Sequence, residues 1–374
     1  MDMSKILSII VPSYNMEAYL PECLGSLIID DKELLQELDV IVVNDGSKDR
    51  TCEIAHEFEA RHPGVFRVID KSNGHYGSCI NAALKVANGI FVKILDADDR
   101  YDKVALKRLL EFLCRDSVSS PDGEIDAVFT NAVRIDSDGR KTQHYCTTFV
   151  DNIDFNVGEM TYEEINSLWM HNVAYRTSLL KELDYRQTEG LPFTDQEWVF
   201  APMSRVRKAA SLSDELYLYL YGREGQTVEP GYYLKNFRVI REIAMQHVRD
   251  FSDLSAKATP GGGRFLRKRV LARANLVYRY HLLNFSEKQY REELDGLLEF
   301  DQLLKEALPD IYAKTGEVRF SRRISMSLVG AWRRKIAGRP FCDLILRKVL
   351  WPMAIAKSRL VAMASGTQNF YNMQ

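Results

Sequence analysis

The chain has 374 residues, 46% of them apolar and 27% charged, which fits one large globular domain or a domain with an appendage and excludes disordered and collagen-like chains. Its 50 Lys and Arg balance 52 Asp and Glu to a net charge of −2, so no basic bias points to nucleic acid. The six cysteines (Cys23, Cys52, Cys79, Cys114, Cys146, Cys342) include no Cys-x-x-Cys pair and have no histidine at zinc spacing, a pattern expected of free thiols in a reducing compartment.

Met1–Lys5 runs straight into a short apolar strand, without the longer apolar region and cleavage site of a signal peptide. No stretch reaches the roughly 18 apolar residues of a membrane span. These features predict a cytoplasmic protein.

In chain order, Ile6–Val11 is a continuous apolar run, as expected of a strand covered on both faces. Glu17–Ile29 has helical spacing through Leu20, Leu24 and Leu27. Asp39–Val43 is a second strand, and Thr51–Glu59 a helix. Val65–Ile69 reads as strand, Ser78–Ala87 as helix, Ile90–Leu95 as strand and Lys103–Leu113 as helix. This alternation predicts an α/β fold with a mainly parallel sheet. After a turn-rich connection at Ser117–Glu124, strands are expected at Asp126–Ile135 and Thr142–Val150 around the Asp138-Gly139 turn. Helical patterns follow at Tyr162–Leu168 and Arg176–Leu183. From Tyr232 onwards helices dominate, with Gly261-Gly262-Gly263 as the clearest break. Residues 318–360 carry 11 Lys/Arg against one acid, so an acidic body is followed by a basic tail.

Three polar constellations follow predicted strands, where ligands of open parallel sheets bind. Pro12-Ser13-Tyr14-Asn15 follows the first strand and offers the Tyr14 ring for stacking. Asn44-Asp45-Gly46-Ser47-x-Asp49-x-Thr51 follows the second. There Asp45 could accept from a base N–H or a sugar hydroxyl, while Ser47 and Asp49 suit a turn or a helix cap. Leu95-Asp96-Ala97-Asp98-Asp99 follows the fourth. Three carboxylates so close repel one another unless a cation sits among them, and hard divalent ions take such oxygens. One acid would suffice to cap the next helix, which leaves Asp98 for a metal and Asp99 for the cap.

The ordered set V-P-S-Y-N (Val11–Asn15), V-N-D-G-S-x-D-x-T (Val43–Thr51), Ala87-Asn88-Gly89 closing a helix, and L-D-A-D-D (Leu95–Asp99) resembles the family 2 glycosyltransferases of the GT-A fold, strongly over residues 4–115 and more weakly to about 230. The resemblance implies a GT-A domain at 1–230 and a helical C-terminal region at 231–374. It implies that Pro12, Tyr14 and Asp45 hold the uracil of a UDP-sugar, that Asp96 meets the ribose or sugar, and that Asp98 binds Mg²⁺ or Mn²⁺ on the diphosphate. Phe193-Thr194-Asp195-Gln196-Glu197-Trp198 is similar to the family's base motif, which makes Asp195 the general base; the alternative is a helix cap at Thr194 or Asp195.

Two departures stand out: Asn44 replaces the family's usual first Asp, and Ile80-Asn81 replaces Arg-Asn. Tyr221–Thr227 resembles a loop that closes over the donor, with Arg223 towards phosphate; an ordinary surface loop is the other reading. His75 and His171 are read as structural or surface residues.

The implied reaction is inverting transfer from a UDP-sugar to a polysaccharide or lipid-linked glycan. A sugar-phosphate nucleotidyltransferase and a non-catalytic nucleotide-sugar scaffold are the alternatives. In the tail, Ile324, Leu328, Trp332 and Ile336 recur every four residues among Arg322, Arg323, Arg333, Arg334 and Lys335. That pattern predicts either a peripheral anchor on an anionic membrane or a helix packed on the acidic body.

Overall fold

The computed structural model describes residues 5–115, 125–146, 149–190, 194–222, 236–319 and 325–336. Arg223, the connection at 116–124 and the tail beyond 336 lie outside the described residues. Two compact units divide the chain: Met1–Gln226 with Asp253–Leu266, and Thr227–Ser252 with Arg267–Gln374.

The first unit is built on a mixed sheet. Its strands are β1 (Lys5–Ser13), β2 (Leu38–Asn44), β3 (Phe66–Asp70), β4 (Gly89–Ile94), β5 (Arg100–Tyr101), β6 (Ile125–Ile135), β7 (Lys141–Cys146), β8 (Asn152–Phe155), β9 (Val173–Arg176) and β10 (Lys208–Leu220). The spatial order is β3-β2-β1-β4-β9-β6-β10-β5, with β7 on β6 and β8 on β10. β1 to β4 run parallel, and β9 enters antiparallel between β4 and β6. All seven residues of β2 and all eleven of β6 are buried, as expected of strands covered on both faces. β9 and β10 extend the sheet beyond the strands expected from the sequence.

The helices that position the site are α1 (Leu20–Gly25), α2 (Lys32–Gln36), α3 (Thr51–Arg61), α4 (His75–Leu84) and α5 (Lys103–Leu113). α1 is shorter than the Glu17–Ile29 pattern because Glu17 is engaged elsewhere: its carboxylate accepts from the Arg50 N–H at 2.9 Å. Asp102 caps α5, accepting from the N–H groups of Val104 and Ala105 at 3.0 Å each. The cap expected at Asp99 is therefore corrected to Asp102. Gly261–Gly263 does not break the helices either: it lies inside the helix Pro260–Arg279. A methyl group at Gly262 would fall 2.2 Å from the carbonyl oxygen of Ser204, so glycine there serves close packing.

The second unit is helical, with a short hairpin of Glu317–Arg319 and Ser325–Ser327. Its last described helix, Leu328–Ile336, buries Val329, Ala331 and Trp332. The Trp332 indole N–H donates to the Tyr290 hydroxyl at 2.8 Å, and the Arg333 guanidinium donates to Asp301 at 2.8 Å while lying over the Tyr312 ring. Trp332 and Arg333, expected on an amphipathic tail, thus serve packing within this unit. No helix among the described residues is long and apolar enough to cross a membrane.

Candidate active site

β1, β2 and β4 run parallel, so the residues after them gather at one edge of the sheet. The first two loops are stitched together. The Asn15 N–H donates to Ser47 Oγ at 3.1 Å, Met16 N–H to Thr51 Oγ1 at 2.7 Å and Glu17 N–H to Asp49 Oδ2 at 3.0 Å. Ser47 and Asp49 therefore join loops, and Asp49 Oδ1 also accepts from the Thr51 N–H at the start of α3. Pro12 is half-buried at the end of β1, and the Tyr14 ring beyond it is 45% exposed, open for stacking.

Asp45 stands one residue past β2 and is buried. Its Oδ1 accepts from Lys71 Nζ at 2.6 Å and from the Gly74 N–H at 3.0 Å, and its N–H donates to the Ser13 carbonyl at 2.9 Å. Asn44 donates its amide to Asp70 at 2.8 Å and accepts from the Ser47 N–H at 3.1 Å. An aspartate in its place would repel Asp70, which explains the departure at this position. Ile80, the other departure, is fully buried in the core, and a cation reaches Asp45 from Lys71 instead.

Asp96, Asp98 and Asp99 each offer a carboxylate oxygen within 4.8 Å of the others. Their roles separate on burial. Asp99 is 1% exposed and accepts from the Tyr217 hydroxyl at 2.5 Å and the Leu220 N–H at 2.8 Å. Burial first, then the charges of Asp98 and Asp96, push its pKa well above the usual carboxylate range. Asp99 thus ties the D-x-D turn to β10, while half-buried Asp96 and Asp98 are the oxygens suited to a hard divalent ion.

The Tyr76 hydroxyl donates to Asp96 at 2.8 Å. Its own proton is held firmly: burial, then the charges of Asp96 and Asp195, raise its pKa well above that of a free phenol. Asp195 opens the four-residue helix α6 (Asp195–Trp198), and its carboxylate accepts from the Gln196 amide at 2.6 Å. Thr194 does not cap this helix through its side chain, because its hydroxyl accepts from the Gln187 amide at 3.0 Å.

The segment before α6 is docked on α4. Asn81 donates to the Gln187 carbonyl at 2.8 Å and accepts from the Gln187 N–H at 2.9 Å. A methyl group at Gly77 would lie 2.0 Å from the Thr188 carbonyl oxygen. Helix α4 therefore carries Tyr76 against Asp96 on one side and the approach to Asp195 on another.

His171 is buried, its ring 4.2 Å from that of Tyr217. Burial, then Lys93, lower its pKa to about 3, so it stays neutral at physiological pH. His75 is exposed at the start of α4. Lys71, Tyr76, Gly77 and Tyr217 were not singled out from the sequence. The alternating leucines and tyrosines of Leu216–Leu220 are the signal that would have found Tyr217.

A mainly parallel sheet with a buried carboxylate after β2 and a D-x-D turn after β4 defines the GT-A class of nucleotide-sugar folds. The chain matches Glycosyl transferase family 2 over residues 8–184. It is 28% identical over 224 residues to the uncharacterized glycosyltransferase EpsJ of Bacillus subtilis (strain 168), covering 58% of this chain and 61% of EpsJ. It is also 28% identical over 246 residues to the poly(ribitol-phosphate) beta-N-acetylglucosaminyltransferase TarS of Staphylococcus aureus strain Mu50, covering 64% of this chain and 40% of TarS. The matches thus span about three fifths and two fifths of these relatives' lengths. The crystal structure of S. aureus TarS 1–349 in complex with UDP-GlcNAc shares the fold with a TM-score of 0.63 at 20% identity, covering 97% of this chain and 92% of that one.

Proposed function

We propose that the chain transfers a sugar, with inversion, from a UDP-sugar to a hydroxyl of a polysaccharide or lipid-linked glycan, within a GT-A domain of residues 1–230. The carrying observation is Tyr76, whose hydroxyl binds Asp96 on the donor side while feeling the charge of Asp195. In this reading Tyr76 links the donor-side Asp96, by a hydrogen bond, with the electrostatic neighbourhood of Asp195.

In this reading the Tyr14 ring stacks on the uracil beside Pro12. Asp45 accepts the uracil N–H through Oδ2, because Lys71 and Gly74 already engage Oδ1. Asp96 accepts from the ribose or sugar hydroxyls. Asp98, with Asp96, would hold Mg²⁺ or Mn²⁺, which offsets the charge of the departing diphosphate when bound. Asp195 removes the acceptor proton as the hydroxyl attacks the anomeric carbon. Arg223 supplies a further phosphate contact. The tail beyond residue 336 offers a basic contact for an anionic membrane surface at the cytoplasmic face.

A UDP-release screen over common UDP-sugars with Mn²⁺, read first as donor hydrolysis, tests this. Release from at least one donor, absent in EDTA, is expected. No release from any donor, together with no binding of UDP, would refute the assignment.

A further inference from the structure

A second cluster of metal-type ligands lies beside the residues assigned above, touching them through the Asn44–Asp70 hydrogen bond. Cys52 and His56 are four apart on α3, so their side chains share one face of the helix. Asp70 ends β3 opposite them. Cys52 Sγ donates to Asp70 Oδ1 at 3.2 Å, and His56 Nε2 lies 2.8 Å from Asp70 Oδ2. Sulfur, imidazole and carboxylate each offer an atom within 4.8 Å of the other two. Tetrahedral zinc, with bonds of about 2.0–2.3 Å, sets its donor atoms roughly 3.3–3.8 Å apart. Small rotations of these side chains would accommodate it.

The donors are also braced from behind. His56 Nδ1 meets Glu59 Oε2 at 2.9 Å, and the other oxygen of Glu59 accepts from the Val68 N–H at 3.0 Å. That is the carboxylate–histidine arrangement that fixes the tautomer of a ligating imidazole and leaves Nε2 for the metal. Asp70 Oδ1 is held by the Asn44 amide at 2.8 Å. The His56 and Asp70 side chains are 46% and 47% exposed, so an ion can enter and a water can complete its coordination.

We propose that Cys52, His56 and Asp70 bind Zn²⁺ or another thiophilic divalent ion, independently of Asp96 and Asp98. The sulfur and imidazole select borderline-soft ions, whereas the all-carboxylate turn after β4 suits hard ones. On coordination the Cys52 thiol proton and the His56 Nε2 proton, both now directed at Asp70, leave to solvent, and the ion takes the Sγ and Nε2 lone pairs. The proposal departs from the sequence expectation of no histidine at zinc spacing. Three residues between Cys52 and His56 are one helical turn, and the third ligand comes from another element.

The test is a Co²⁺ titration of the full chain after EDTA treatment and its removal, followed by Zn²⁺. One equivalent of Co²⁺ should raise a near-ultraviolet thiolate-to-cobalt band with visible bands of tetrahedral cobalt, and Zn²⁺ should quench both. Cys52→Ser and His56→Ala should each weaken binding at least tenfold with an unchanged circular dichroism spectrum, while Asp98→Ala keeps the signal. No thiolate band in the native chain, a band that survives Cys52→Ser, or one lost in Asp98→Ala would overturn the proposal.

Discussion

The two ends of the site are held by different physics. On the proposed nucleotide side, Asp45 and Asp96 stand one and two residues past β2 and β4, so the parallel ladder sets their positions. The partners of the Asp45 carboxylate are 26 and 29 positions away in sequence. On the proposed acceptor side, Asp195 sits on a helix of four residues. The segment leading to it is anchored by Asn81, 106 positions from Gln187. The nucleotide side is thus part of the sheet, whereas the proposed base depends on side-chain docking against α4. Catalysis should therefore be more easily uncoupled from nucleotide binding than the reverse.

The largest effect that would sharpen this contrast is at the base. Asp195→Asn is nearly isosteric and should lower turnover by about a hundredfold or more while leaving UDP affinity unchanged. Steady-state transfer assays paired with UDP titration read both quantities, and near-normal turnover would show that the base is another group.

Next come the neighbouring acids of the D-x-D turn. Asp98→Ala should abolish the metal-dependent part of UDP binding. Asp99→Asn should largely retain it, because Asp99 is turned to Tyr217 and the Leu220 N–H of β10 and the amide can still meet Tyr217. Equal losses in the two variants, measured with Mn²⁺ and with EDTA, would return Asp99 to the metal set.

Gly77→Ala probes the docking itself. The added methyl would strike the Thr188 carbonyl, and such overpacking costs about 1–3 kcal/mol. Turnover should fall with UDP affinity held, which separates a displaced Asp195 from a damaged nucleotide site. A parallel loss of UDP binding would mean that the two sides are coupled.

The smallest effect on activity is expected at Lys93, fully buried in β4 with its ammonium on the His171 carbonyl at 2.7 Å. Burial lowers its pKa from 10.5 to about 7. Between those values the unfolded chain holds a proton that the folded chain does not, so stability rises with pH through this window. The penalty is full below about pH 7 and fades towards pH 10. The melting temperature of Lys93→Met relative to the native chain should accordingly be highest below pH 7 and decline as pH rises; a pH-independent difference would contradict this.

The contrast also explains what could be read from the sequence. β1, β2 and β4 are mainly apolar runs, interrupted by Ser8, Asp39 and Lys93, and the polar residues after them are local, so Tyr14, Asp45 and the D-x-D turn were legible as strand-end groups. β9 has only four residues and runs into the next helix at Thr177, so helical spacing masked it. Lys71, Tyr76 and Gly77 act through partners on other elements, and nothing in their local pattern marks them. Gly261–Gly263 misled because close approach to Ser204, invisible in the sequence, outweighs the low helix propensity of glycine.

The central claim, that the strand-end carboxylates form a nucleotide-diphosphate site, is tested most directly by calorimetric titration of UDP in Mn²⁺ into the native chain and Asp45→Ala. Saturable binding by the native chain and at least a tenfold loss in the variant, with its fold intact by circular dichroism, is the predicted result. Equal affinity in the two proteins would place the nucleotide elsewhere and contradict the account.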